Sequence, residues 1–217
     1  MWLKSRIAWM QASVENAEIP RTPNFRNSKI SEAPNSVYRV HNSYSFVNSI
    51  DLYPITMLTI RICQILFVFV IGAFAALVTW NNLRDPKSNL RFVQHLMSMD
   101  TVFPDSRLKA RAIVSAALQR LFFGLIVACE GLTALLCFGG AALLGANLDA
   151  PVAAFQATKW LAFTGLATGF ALWFGGFMVI GGQWFASWQS KDWNGRESAF
   201  MFYTAIGLAF VVLLHPA

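Results

Sequence analysis

The chain has 217 residues, of which 56% are hydrophobic and only 13% charged, with a formal net charge of +6. Soluble domains carry about 25% charged residues, so a water-soluble globule is excluded and long apolar stretches read as membrane spans. The positive balance does not mark a nucleic-acid binder, because no basic cluster is interleaved with aromatics. Beside apolar spans it fits membrane topology and anionic head groups.

Residues 1–53 form a polar extension rich in Ser and Asn and interrupted by Pro20, Pro23 and Pro34. No periodic pattern there runs far enough for a long helix. Its first stretch, residues 1–12, differs. Lys4 and Arg6 stand among Trp2, Leu3, Ile7, Trp9 and Met10 with no acid. That composition suits a short helix on a membrane surface and also a mitochondrial presequence.

The membrane domain, residues 54–217, holds four spans. They are expected at about 56–80, 121–146, 154–180 and 198–214, the second helix beginning earlier, near Ser106. The fold class is therefore an all-α, four-helix transmembrane bundle with a polar N-terminal extension. Between the spans, Arg84, Lys87, Arg91, Arg107, Lys109 and Arg111 lie in the first connection, and Lys191 and Arg196 in the third. The short second connection has no Lys or Arg. By the positive-inside rule, loops 81–110 and 181–197 face the cytoplasm or the mitochondrial matrix.

Helices in lipid need close van der Waals packing. The third span carries Gly165-Leu-Ala-Thr-Gly169, a GxxxG face, followed by Gly175, Gly176, Gly181 and Gly182. Such a face packs inside the bundle or docks another subunit. Cys63, Cys129 and Cys137 lie in apolar runs and read as small buried hydrophobes.

Glu130 is the most unusual residue. It sits deep in the second span, about 13 Å of helical rise from that span's nearer end. An intramembrane acid is costly and marks a functional site or a hydrogen bond that ties helices together. Gln64, Thr133, Thr164 and Thr168 are its candidate partners, whereas Arg120 is too far along the helix and Lys159 too shallow. The stretch His95-Leu-Met-Ser-Met-Asp100 has the side chains of a soft-metal site, but Met is also a common gap-filler, and no metal is assigned. His41, His95 and His215 all lie outside the spans, against a transmembrane haem. No cofactor and no catalytic set is indicated; an enzyme built on His95 and Asp100 is the weakest reading.

The run Gly181–Glu197, GGQWFASWQSKDWNGRE, reads as an exit, a turn and a re-entry. Trp184 and Trp188 share one helical face, and with Trp80 they form an aromatic belt at the head-group level. Asn194 with Glu197 three residues on resembles a capping box for the fourth helix. Gln183 and Gln189 have no part in this description.

The loop segments Asn81–Pro104, Arg111–Ile113, CEGLTALLC (Cys129–Cys137) and GGQWFASWQSKDWNGRESAF resemble an uncharacterised family of predicted small integral membrane proteins, mainly bacterial. The resemblance covers about residues 57–214 and implies a four-span bundle with no assigned activity. Members are similar at His95 and Met99 but often aliphatic at Met97, and usually begin close to the first span. The extension is thus an addition to a bacterial-type protein, which favours a mitochondrial over a bacterial inner membrane.

The leading expectation is a non-catalytic accessory subunit of a multi-subunit inner-membrane complex, respiratory or otherwise energy-transducing, with other membrane subunits and lipids as partners. Its docking or lipid-facing candidates are Trp184, Trp188, Trp193, Gln183, Gly165, Gly169, Gln94 and His95. The alternative is a small transporter or ligand-binding membrane protein centred on Glu130 and Gln64.

Overall fold

A computed structural model describes the backbone of residues 35–217 and the side chains of residues 55–217. The expected surface helix at 1–12 lies outside the described residues. The chain divides into two units, Met1–Phe46 and Val47–Ala217, and the bundle belongs to the second.

The described elements are all helical: α1 (Asn35–Arg84), α2 (Pro86–Ser98), α3 (Ala116–Ala146), α4 (Val152–Ala157), α5 (Trp160–Phe170) and α6 (Arg196–Leu214). Between α5 and α6 lie a π-helix, Ala171–Trp184, and the single 3-10 turn Ser187–Gln189. Another 3-10 turn, Arg107–Arg111, leads into α3. Four stretches are long and apolar enough to cross a membrane: Ile55–Arg84, Ala116–Ala146, Val152–Trp184 and Arg196–Leu214. Only 22–28% of each apolar window is buried within the protein. The rest of each helix surface is left for lipid, as in a bundle with a narrow packing stripe.

The elements differ from the expectation in four places, the first being that α3 begins at Ala116 and not near Ser106, after the separate 3-10 turn Arg107–Arg111. Helix α1 starts at Asn35 and runs through Pro54, well ahead of the expected start at about residue 56. A proline removes one backbone donor from a helix but does not forbid its continuation. At its other end α1 reaches Arg84, so Asn81 and Asn82 are helical. The third span is not one regular helix: the Lys159 amide bonds to Gln156 O at 3.2 Å, a tight turn between α4 and α5.

The buried face of α1 comprises Arg61, Gln64, Val68, Ile71, Ala75 and Asn82. These positions follow the three-four spacing of a helix seam, with polar residues at both ends and apolar ones between. On α3 the stripe is Glu130, Thr133, Ala134, Cys137, Gly140, Ala141 and Leu144. Helix α5 offers Ala162, Gly165, Leu166 and Gly169, and α6 offers Ala199, Ile206, Ala209 and Leu213.

The closest approach is between α3 and α5. A β-carbon built on Gly140 would stand 2.6 Å from the Ala162 backbone, and one on Gly165 would stand 2.8 Å from Cys137 N. One on Gly169 would stand 3.0 Å from Thr133. The GxxxG face is therefore spent inside the bundle, and Gly165 and Gly169 are not free to dock a partner.

On the side of the two longer loops a second apolar cluster forms. Val93, Met97, Met99, Val102, Phe185 and Ala186 are buried together. Met99 and Ala186 take left-handed backbone conformations, at φ 52° and 50°. Thus the two methionines of the soft-metal stretch are core residues, 3% and 1% exposed.

Gly140→Val should force α3 and α5 apart and lower stability by about 1–3 kcal/mol, the usual cost of overpacking. Gly124→Ala, which meets nothing within 4 Å, should stay within about 0.5 kcal/mol of wild type. Thermal unfolding in detergent, followed by circular dichroism, compares the two.

Candidate functional site

Two polar networks lie at opposite ends of the bundle. The first gathers around the ends of α3 and α6. Arg61 Nη1 donates to Leu148 O at 2.6 Å and Ala150 O at 2.7 Å, and its guanidinium sits 4.4 Å from the Phe155 ring centroid. Gln64 Nε2 donates to Val212 O and His215 O, both at 2.9 Å. Lys159 Nζ donates to Leu213 O and His215 O, also at 2.9 Å. The last carbonyls of a helix have no internal partner, and cations there also oppose the helix dipole. Helix α6 is short, and its end is capped by side chains from α1 and the α4–α5 turn. Gln64 is thus assigned to this cap; it does not meet Glu130. Arg61 was missed in the sequence, although an arginine on the seam of an apolar span was its signal.

The second network holds Glu130. Its side chain is 2% exposed. Asn82 Nδ2 donates to Glu130 Oε2 at 2.7 Å, and Asn89 Nδ2 donates to Asn82 Oδ1. Two carboxamides, one from the end of α1 and one from α2, thus relay their donors onto the acid. Thr133, Thr164 and Thr168, the expected partners, instead bond carbonyls of their own helices. Asn82 was overlooked because the first span was ended at Trp80. Extending the three-four seam two turns beyond Ala75 reaches Asn82.

The turn between α1 and α2 sets the geometry of this relay. Asp85 precedes α2, and Ser88 Oγ donates to Asp85 Oδ2 at 2.6 Å. That hydrogen bond holds the Asp85 carboxyl below its ordinary value of 3.8.

Glu130, Asn82 and Asn89 line a partly open cavity of about 230 Å³. The rest of its wall is mostly apolar and aromatic, with Phe92, Phe123, Trp173, Phe177 and Phe202. A smaller cavity of about 100 Å³ adjoins it and shares Phe92, Val93, Ile126 and Phe177. That second chamber is lined by Met97, Phe122, Gly176, Ile180 and Gly181 among others, with no charged side chain among the described residues. The π-helix supplies walls of both chambers. Its wide turn closes with Phe185 N–H on Ile180 O at 3.0 Å. Such insertions recur at functional sites.

The loop candidates form a separate lid on the same side. His95 Nδ1 lies 2.6 Å from Asp100 Oδ2, and the ring stacks on Trp193 at 4.4 Å. Among the described residues no Ser, Thr or Cys side chain bonds to the His95 ring; Ser98 Oγ donates only to the His95 carbonyl, at 3.4 Å. Gln189, buried, accepts the Phe103 amide at 3.3 Å, and Thr101 donates to Ser190 at 2.8 Å. Phe103 meets Trp188 edge-on at 6.3 Å. Trp184 carries the Arg111 guanidinium 4.7 Å from its ring and is 54% exposed; Gln183 is also exposed, and Gln94 is half-buried. Asn194 Oδ1 accepts the Arg196 amide at 3.3 Å, while Gly195 takes the cap position, so the expected capping box is reduced to a local turn.

Residues 60–216 match the family model of the predicted small integral membrane proteins designated DUF2165. The chain belongs to this family. The match takes in the four apolar stretches from Ile60 onward, both polar networks and the loop lid. It leaves out the extension. No curated protein and no solved structure matches the chain. This family member is therefore shown to be an integral membrane protein, and the loop motifs that carry the family likeness are the ones that interlock over the Glu130 side of the bundle.

Because Asp85 is depressed when folded, its contribution to stability is present above its ordinary value and lost as pH falls through the depressed one. Ser88→Ala should raise the Asp85 pKa toward 3.8; a carboxyl NMR titration in detergent reads the shift. At the other end, Lys159→Met should leave carbonyls of α6 short of a donor and lower stability by about 1–3 kcal/mol, measured by thermal unfolding.

Proposed function

We propose that this protein is a non-catalytic, small-ligand-binding membrane protein whose site is the cavity at Glu130. The observation that carries this reading is the meeting of a buried carboxylate with the Asn82–Asn89 relay on the wall of an aromatic chamber. Ligand sites are largely apolar concavities with a few convergent polar groups, and this wall has that composition. An acid used only to tie helices together would not need to line an open volume. The place of Glu130 within an apolar, membrane-length helix adds weight, since intramembrane ionisable groups mark pathways and sites.

The accessory-subunit reading draws on the glycine faces and the extension. Gly165 and Gly169 are occupied within the bundle, and residues 1–34 lie outside the described part, so the cavity is the better support. The basic residues from Arg84 to Arg111, with Lys191 and Arg196, favour an inner membrane with the lid on the cytoplasmic or matrix side.

Benzyl alcohol, a neutral ring with one donor, is a suitable probe in lipid nanodiscs by saturation-transfer NMR. Wild type should bind it saturably. Ala199→Trp, placed on the cavity wall, should weaken binding at least tenfold while helix content stays unchanged. Equal signal from both proteins would mean partition into lipid alone and would overturn the proposal.

A further inference from the structure

We infer that the Glu130 cavity selects a small organic cation: an ammonium group carried on a short apolar ring or chain. This inference rests on the ligand-binding reading above and names the chemical class of the ligand.

The first ground is charge. No Lys, Arg or His among the described residues lines either chamber. Among the described residues the one acid–base pair within ion-pair distance is His95 with Asp100, outside the cavity. The Glu130 side chain receives, among the described residues, a single hydrogen bond, from the neutral Asn82. A buried carboxylate without a cationic partner is costly, and a ligand that brings the cation removes that cost. The relay supports the acid as an acceptor: Asn89 orients Asn82, and Asn82 turns its amide N–H toward Oε2.

The second ground is the wall. Phe92, Phe123, Trp173, Phe177 and Phe202 surround the polar corner. Aromatic faces attract cations, with the interaction strongest in desolvated sites. An anion would meet the acid at Glu130 and would be rejected. The third ground is size and shape. About 230 Å³ lies just under the usual lower end of ligand pockets, ~300 Å³, so the ligand is small. The adjoining apolar chamber of about 100 Å³ receives the uncharged end. The class is then an amphipathic amine, its charged end at Glu130 and its apolar end along Phe177 and Ile126.

Benzylammonium and benzyl alcohol have nearly the same size and differ in charge, so they separate the two readings. Binding is measured for the full chain in zwitterionic phosphatidylcholine nanodiscs, at neutral pH, by competition in saturation-transfer NMR. Wild type should bind benzylammonium at least tenfold more tightly than benzyl alcohol. Glu130→Gln should bring that ratio to near one. Ala199→Trp should weaken both ligands. A wild-type ratio of one or below overturns the inference without recourse to any variant, and so does a ratio that survives in folded Glu130→Gln. If benzyl alcohol binding is sensitive to Ala199→Trp but shows no ammonium preference, the ligand-binding reading stands and the cation inference falls. If neither ligand responds to Ala199→Trp, the reading itself falls.

Discussion

The contact on which the bundle depends is the approach of α3 to α5, where Gly140 faces the Ala162 backbone and Gly165 faces Cys137. In lipid there is no hydrophobic drive to bring helices together, so stability must come from close packing and from hydrogen bonds made inside. Small residues make the close packing possible along one half of the α3 stripe. Toward the loop side the facing residues become Phe123, Ile126, Trp173 and Phe177, and the cavity lies among these rings. Contact and cavity are thus two consequences of one gradient in side-chain size along the same helices.

The second constraint is that polar groups within the bundle need partners there. The protein meets it differently at its two ends. At one end Arg61, Gln64 and Lys159 cover exposed carbonyls of α6 and of the α3–α4 connection, so that each cation has a backbone acceptor while Arg61 Nε and Gln64 Oε1 stay buried without a partner. At the other, Glu130 takes one donor from Asn82 and still lines a cavity. The first network has the form of a helix cap. The second has the form of a binding site, with its acceptor left available to something other than the protein.

The lid of interlocked loops stands beside that site. Trp193 stacks on His95 and also meets Phe92 at 6.2 Å, and Phe92 lines both chambers. The tryptophan-rich run after the third span is thereby connected to the cavity wall through one ring. Part of its aromatic content remains exposed, as at Trp184 and Trp188, which suits the head-group layer. Gln189, without a role in the linear reading, holds the backbone of the opposite loop.

Hydropathy is a property of contiguous residues, so the sequence by itself determined the number of spans, the helical class and the odd position of Glu130. It also contained the close-packing glycines, since four-residue spacing places them on one face whatever they meet. Which surface they meet is not local: tertiary structure put Gly165 against Cys137 and so withdrew it from partner docking. It likewise sent Gln64 to the end of α6 and gave Glu130 to Asn82, 48 residues away in the chain. Hydrogen-bond partners separated by whole helices depend on the rotation and depth of each helix in the bundle. The π-helix belongs to the same class, since its glycine pairs permit the wide turn without requiring it. The cavity beside Glu130 exists only once those rotations are set.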